Sequence, residues 1–363
     1  MENPLGQRLR ELPGPLLLTG HTGFKGTWMT FLLEYLEVSV VGFSLPAEKE
    51  SLFDRAGRTG SIPEEFADIR DYSKLEEFID RHKPSTIIHM AAQPLVLKSY
   101  DSPRETFDIN VMGTVNVLDI AFKKDFVKAI IVVTTDKVYR NDNSGQAFVE
   151  SDPLEGKDPY SASKVGTEAV IAAWQQIAKV SGGPSLASVR AGNVIGGGDY
   201  AEQRLVPDIV REIQNVSPLE IRNPRSTRPW LYILDVLTGY ICTIENSLTK
   251  NDVKNYNFAP SQQGLSVQEV INLAKIIWPT KSHGVANERQ SDDEKESKHL
   301  ALDASLAHKN LGWSANLSQQ EMFKATFLWW DKVLENKCDP QDLCREEIEK
   351  YFRDHRGSSE TFF

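Results

Sequence analysis

Four short, unbroken apolar runs, spaced by amphipathic stretches, restrict the fold of this chain more than any other feature. They are LLLTG at Leu16, SVVGFSL at Ser39, STIIHMAA at Ser85 and KAIIVVTT at Lys128. Between them lie GTWMTFLLEYLE from Gly26, SKLEEFIDRH from Ser73 and NVMGTVNVLDIAFKK from Asn110, whose apolar residues recur three and four positions apart. That spacing predicts helices with one buried face, while runs that are apolar throughout predict strands covered on both sides. Strand and helix in strict alternation give a βαβ series, hence an α/β fold with a doubly wound parallel sheet of the Rossmann type.

After about Leu186 the rhythm loosens into a turn at Gly196-Gly197-Gly198, the segment RNPRSTRPW from Arg222 and the charged stretch NERQSDDEKESK from Asn287, read as a solvated loop. The chain therefore divides into an N-terminal extension (1–14), a dinucleotide-binding domain (15–185), a smaller C-terminal substrate-binding domain (186–335), parts of which return to the sheet, and a helix with a tail (336–363). No repeat period is present.

The formal net charge of −10 argues against nucleic acid and anionic membrane as partners and favours a small molecule. The N-terminal MENPLGQRLRELPGP has no apolar core of signal length, and no later run approaches the ~18 residues of a membrane span, so a cytoplasmic location is expected. Cys242, Cys338 and Cys344 are too scattered for a disulfide framework, and no His or Cys pair has zinc-ligand spacing, so no metal is expected.

The first apolar run ends in Gly20-His21-Thr22-Gly23-Phe24-Lys25-Gly26, three glycines at a strand-to-helix turn. Glycine permits the tight turn and lets backbone amides approach a pyrophosphate at the positive end of the following helix, which predicts a dinucleotide site. Lys25 is either a structural side chain or a phosphate contact. A carboxylate closing the second strand would select NAD, but Gly42-Phe43-Ser44-Leu45 has none, nor an arginine, so NAD and NADP both stay open here.

The fourth run ends in Thr134-Thr135-Asp136-Lys137, and Asp158-Pro159-Tyr160-Ser161-Ala162-Ser163-Lys164 follows. Tyr160 and Lys164, four apart at a helix start, share one face, where an ammonium favours the phenolate and Tyr160 becomes a base for an alcohol. Thr135 would hydrogen-bond the same substrate oxygen.

Glycine loop, threonine-ended strand and Tyr-x-x-x-Lys, in this order, resemble the short-chain dehydrogenase/reductase superfamily over roughly the first 260 residues. HTGFKG from His21, HMAAQPLVLKSY from His89, NVMGTVNVL from Asn110, TTDKVY from Thr134, RAGNVIGGGDYAEQRLVPD from Arg190 and RNPRSTRPW are similar to the CDP-glucose 4,6-dehydratases of its extended branch. The resemblance implies NAD in the Rossmann domain, a nucleotide sugar in the smaller domain, and dehydration by oxidation at C4, elimination of water across C5 and C6, and return of the hydride to C6. It further implies deoxysugar biosynthesis, of the kind that serves lipopolysaccharide O-antigen, and a homodimer or dimer of dimers built from the helices near Asn110–Lys123 and after Tyr160.

It assigns Thr135, Tyr160 and Lys164 to the oxidation, Asp136 as acid for the departing 6-hydroxyl and Lys137 as base for C5. As a base near neutral pH, Lys137 would need desolvation or a nearby cation such as Lys164. Gly20, Thr22, Gly23, Phe24, Lys25 and Gly26 would surround the pyrophosphate, Asp68 and Ile69 border the adenine, and Ala91, Ala92 and Gln93 line ribose and phosphate, with Tyr160 and Lys164 also facing the cofactor. Asn193, Arg204, Arg222 and Arg228 would serve the nucleotide sugar, the arginines as forked phosphate donors.

Two segments depart from that pattern. Asn141–Glu150 keeps Asn141 and Glu150 but lacks the tryptophans usual there, and Leu231-Tyr232 stands where Gln-His is usual, both expected near the substrate cleft. Two other readings use part of the same residues: a nucleotide-sugar epimerase or reductase, which needs no acid beside Thr135, and a non-catalytic dinucleotide-binding protein.

Overall fold

The computed structural model describes residues 5–142, 145–202, 204–214, 219, 221, 224–249, 255–261, 264–279 and 300–355. Seven strands form one sheet, β1 (Leu16–Thr19), β2 (Val40–Ser44), β3 (Glu64–Phe66), β4 (Thr86–His89), β5 (Ala129–Val133), β6 (Ser185–Ala191) and β9 (Tyr256–Phe258), in the order β3-β2-β1-β4-β5-β6-β9. Every pairing in it is parallel, with Leu17 opposite Ile87 and Ile87 opposite Ile130. The order reverses between β1 and β4, and a doubly wound sheet opens its ligand crevice at the carboxyl ends of the strands flanking such a reversal.

The unbroken apolar runs are explained by two cores. Leu16, Leu18, Ile88, Ile131 and Val189 face one core, with Trp28, Phe31 and Leu32 of the Phe24–Tyr35 helix. Leu17, Ile87, Ile130, Val132 and Leu186 face the other, with Leu75, Phe78 and Ile79 of the Tyr72–His82 helix and Val117 and Leu118 of the Gly113–Ala121 helix. Alternate residues of each strand thus leave water on opposite faces, each fully buried side chain contributing about 1.5–3 kcal/mol.

Past 186 the chain contributes most of β6 and all of β9 to this sheet. β6, which begins at Ser185, lies across the boundary expected there, β9 closes the sheet, and the Ile233–Ser247 helix packs on β5, β6 and the Phe24–Tyr35 helix. A second, parallel pair, β7 (Val194–Ile195) with β8 (Leu231–Tyr232), starts the outer region, where Trp230, Trp278, Phe323 and Phe327 pack edge to face. The stretch from Asn287 lies outside the described residues, whereas the expected C-terminal helix is present as Pro340–Asp354. Among the described residues no helix is long and apolar enough to cross a membrane.

The Tyr72–His82 helix ends on Lys83 at φ 47°, a left-handed position that glycine fills without cost to a side chain. Lys83→Gly is expected to stabilise the chain by about 0.5–1 kcal/mol, read as a higher urea midpoint at unchanged slope; an unchanged or lower midpoint would refute it.

Candidate active site

The crevice between β1 and β4 is shaped by close backbone approach. Gly20 turns at φ 74°, and a Cβ there would lie 2.7 Å from the Ala91 amide nitrogen. At Gly26 it would lie 2.1 Å from the Gly20 carbonyl oxygen, so these two glycines set the helix against the strands. At Gly23 the nearest atom would be 3.5 Å away, and the Phe24–Tyr35 helix starts there with no side chain capping it. Its first-turn amides are therefore available to an anion.

Polar side chains behind the loop hold it in place. The Thr22 hydroxyl lies 2.8 Å from that of Ser44 and donates to the Leu45 carbonyl at 3.0 Å. His21 is buried, 2.8 Å from Glu64 and stacked on Phe66, and burial lowers its pKa. Behind β4, His89 lies 2.7 Å from the Thr19 hydroxyl and 3.2 Å from that of Thr114, and burial with the nearby Lys164 charge brings its pKa down to about 3. The Thr114 hydroxyl donates to the Asn110 carbonyl, so it accepts from Nε2–H, and Nδ1 accepts from Thr19.

Asp68 and Ile69 follow β3 at the crevice edge. Arg70 donates to the Asp68 carboxylate at 2.6 Å and lowers its pKa, and Ile69 is buried against Gly113. Ala91 and Ala92 follow β4 after Met90, the Ala91 amide bound to the Thr19 hydroxyl. Gln93, expected to line the crevice, is turned inward instead. Its amide donates to Thr106 and the Leu95 carbonyl and accepts from the Leu95 amide, so it braces the wall.

Gln93 is held from behind by Asn110, in a π-helical turn at Asp108–Met112. The extra residue of that turn leaves the Asn110 carbonyl to the hydroxyls of Thr114 and Thr167, and its side chain reaches Ser163 at 2.9 Å. Such turns gather at functional sites, but nothing in the apolar spacing marks this one. His89 and Asn110 are thus site residues that the sequence reading did not single out, and so is Glu168, which binds the Thr134 hydroxyl at the end of β5.

Around the end of β5 the expected group assembles. The Pro159–Ser181 helix starts with Pro159 and a capping box between Asp158 and Ser161, which makes Tyr160 its second residue, and it packs on β6 and on the Asp136–Val138 turn, with Tyr160 at Thr135. Lys164 Nζ donates to the Val133 carbonyl at 3.0 Å. Thr135 donates to Asp136 Oδ1 at 3.0 Å and accepts from the Lys137 amide, closing the short turn Asp136–Val138.

Burial governs the electrostatics. It pushes the Tyr160 phenol up to about 12, against the pull of Thr135 and Arg204, and Asp136 adds to the rise. It lowers Lys164 to about 8, helped by Lys25 and opposed by Glu168, and lowers Lys25 to about 8, helped by Arg204 and opposed by Asp136 and Asp199. Burial also raises the Asp136 carboxyl, against Lys137, Thr135 and Arg228. Of the two surroundings that would suit Lys137 to act as a base, desolvation or a nearby cation, the free chain does not supply the first, since its side chain is exposed.

Of the residues expected to hold a sugar, Arg204 pairs with Asp199 at 3.0 Å and acts on Tyr160, and Arg228 acts on Asp136. Asn193 accepts the Leu231 amide on its carbonyl, beside the site, while Arg222 lies outside the described residues. Leu231 and Tyr232, expected near the cleft, are instead core residues of β8, and the Tyr232 hydroxyl donates to Glu347 of the C-terminal helix. In the segment lacking tryptophans, Phe148 stacks on Tyr139 with ring centres 5.0 Å apart, and its backbone pairs with Ala301 and Asp303. The arrangement can move a proton at Tyr160 and another at Asp136, two buried groups that act on one another, with Arg204 acting on the first and Arg228 on the second.

Residues 17–326 match the model of the GDP-mannose 4,6 dehydratase family. The chain is 36% identical to a CDP-glucose 4,6-dehydratase of Salmonella typhimurium over 86% of this chain and 89% of that protein. It is 24% identical to a dTDP-glucose 4,6-dehydratase of Haemophilus influenzae over 87% and 97%. Its fold is that of a dTDP-glucose 4,6-dehydratase of Bacillus anthracis solved with NAD, at TM-score 0.73, 21% identity and coverage of 89% and 98%. A UDP-glucose 4-epimerase of Stenotrophomonas maltophila solved with NAD gives TM-score 0.77 at 20% identity, with coverage of 89% and 99%.

Because burial raises Asp136, the folded chain binds a proton there more readily than the unfolded one, and the stability this contributes at low pH is lost as pH rises through the raised value. Asp136→Asn is therefore expected to stabilise the chain at neutral pH, on the order of 1 kcal/mol, with the gain fading below the ordinary carboxylate range. Thermal unfolding of both proteins across that range checks it, and a variant less stable at neutral pH would refute it.

Proposed function

The chain belongs to the GDP-mannose 4,6 dehydratase family, and from that premise we propose that it is a hydro-lyase acting on a nucleoside-diphosphate hexose, with CDP-glucose as substrate and NAD as cofactor. The observation that carries this reading is the buried Asp136 carboxyl beside Thr135 and Tyr160, held above the usual carboxylate range. An epimerase or reductase has no task for such an acid.

The crevice suits NAD. Gly23 precedes a helix start that no side chain caps, Gly20 and Gly26 hold the backbone close, and Asp68 and Ile69 are assigned to the adenosine end. NAD, when bound, supplies a hydride acceptor for oxidation at C4 and the same hydride for C6. Tyr160 takes the proton of the 4-hydroxyl, with Thr135 hydrogen-bonding that oxygen; Arg204 favours the phenolate that burial opposes, and the Lys164 ammonium one turn on is assigned to the same task.

The 4-ketone makes the C5 proton acidic. Lys137 removes it while Asp136 donates its own proton to the 6-hydroxyl, so that water leaves and a C5–C6 double bond forms. C5 is then reprotonated and C6 receives the hydride, with no net redox change. A carboxyl raised by burial keeps its proton to higher pH than an exposed one, which suits Asp136 to the acid role. Lys137, exposed in the free chain, is desolvated when the sugar covers it. Arg204, Arg228 and Arg222 bind the diphosphate and Asn193 the sugar, and Lys25, in the first turn of the Phe24–Tyr35 helix, stands near Arg204.

We also propose that the protein works in the cytoplasm, in deoxysugar biosynthesis of the kind that serves O-antigen, and as a homodimer. Leu97, Tyr100, Phe107 and Met112 lie 41–47% exposed on neighbouring turns from Val96 to Met112, an apolar face fitted to a second copy.

Incubated with NAD and, separately, CDP-glucose, dTDP-glucose, UDP-glucose and GDP-mannose, the protein is expected to yield a product lighter by one water from CDP-glucose. Asp136→Asn should slow that reaction roughly 10²–10⁴-fold, and turnover should fall as pH rises through about 8, where Lys164 loses its proton. No water lost from any of the four would overturn the reading in favour of an epimerase or reductase. By light scattering a dimer is expected, and Phe107→Glu with Met112→Glu should give monomers; a monomeric wild type would count against the paired face.

A further inference from the structure

The proposed reaction leaves one buried carboxylate without a task, a single helical turn past Lys164. We propose that Glu168 is a positioning residue of this site, tying the helix of Tyr160 and Lys164 to the end of β5 and standing as the counter-charge of Lys164. The inference rests on the assignment of Lys164 and Thr135 to the reaction.

Glu168 accepts four hydrogen bonds. Oε1 takes the Thr134 hydroxyl at 2.6 Å and Arg190 Nε at 2.8 Å, and Oε2 takes the Ser188 hydroxyl at 2.9 Å and Arg190 Nη2 at 2.7 Å. Lys164 holds the Val133 carbonyl. Two residues one turn apart on the helix thus grip the two consecutive residues that precede Thr135. A slip of the helix would carry Tyr160 away from Thr135 and Asp136 together.

The grip continues beneath the Asp136–Val138 turn. Arg190 Nη1 donates to the Tyr139 hydroxyl at 2.7 Å and to the Glu150 carbonyl at 3.1 Å, and Tyr139 donates to Asn257 at 2.7 Å. Both ends of the Thr135–Val138 segment are therefore fastened to one carboxylate, directly through Thr134 and through Arg190 and Tyr139.

A filler of the core would do the same packing, so the distinction lies in charge. Acting on Lys164 are Lys25 from the helix after the glycine loop and Glu168 from its own helix, with His89 of β4 nearby and Tyr160 one turn before it on the same helix. His89 is neutral and Tyr160 holds its proton in the free chain. Lys25 disfavours the ammonium and Glu168 favours it. Without Glu168, Lys164 would release its proton at lower pH, and Tyr160 would lose a cation in the range where it must ionise.

Glu168→Gln alone strands the Arg190 guanidinium in the core, so the test uses Glu168→Leu with Arg190→Met, which removes both charges and keeps apolar volume. In protein labelled with 15N-lysine, the Lys164 Nζ titration, assigned by Lys164→Met, is expected to move down by about one pH unit or more in the double variant. Its kcat should fall roughly 10- to 100-fold with KM within about two-fold, and the alkaline fall of turnover should move down with the titration. A folded double variant whose Lys164 titrates as in wild type would overturn the proposal. A wild type that releases no water from any sugar would overturn the functional reading instead, and the Nζ titration would still decide the role of Glu168.

Discussion

Where β5 ends, a carbonyl and a hydroxyl in a dry core need partners, and the rest of the site follows from how they are found. A buried backbone acceptor left unpaired costs on the order of 1–3 kcal/mol, so the Val133 carbonyl must be met from outside the sheet. Lys164 meets it, and the Thr134 hydroxyl finds Glu168. Satisfying the strand end thus fixes the helix whose second residue is Tyr160, and it places Thr135 and Asp136 at the crevice that the β1–β4 reversal opens.

The same dryness sets the charge balance. Lys25, Lys164 and Arg204 stand among Asp136, Asp199 and Glu168, and burial brings both lysines to about 8 while raising Asp136. Groups so displaced are costly to the fold and suited to proton transfer near neutral pH, the trade between stability and activity common at reacting sites. Lys137 alone of the five assigned residues stays exposed, and so depends on bound substrate for its surroundings.

A second buried carboxylate organises the outer region. Asp235, at the start of the Ile233–Ser247 helix, accepts from the Tyr351 hydroxyl at 2.7 Å and the Asn316 amide at 2.9 Å, while Asn316 donates to Tyr351. Burial raises Asp235 to about 6 despite these bonds. The C-terminal helix is thereby joined to the helix that packs on β5 and β6, so the residues past the last strand belong to the same body as the site.

The alternation of strand and helix, two-sided burial, the glycine turn and the spacing of Thr135, Tyr160 and Lys164 were legible in the sequence, because each rests on local periodicity or on spacing along the chain. Asp158-Pro159 with Ser161 even fixed the helix start, and with it which side chains share a face. Contacts between distant segments were not legible. Glu168 with Arg190, Asn110 with Gln93 and Tyr232 with Glu347 lie 22, 17 and 115 positions apart, and no pattern along the chain pairs them. The sequence by itself determined the layers and the chemical groups; tertiary structure decided which groups are dry, which are paired and which, like Lys137, face water, because desolvation depends on neighbours that only the packed chain brings together.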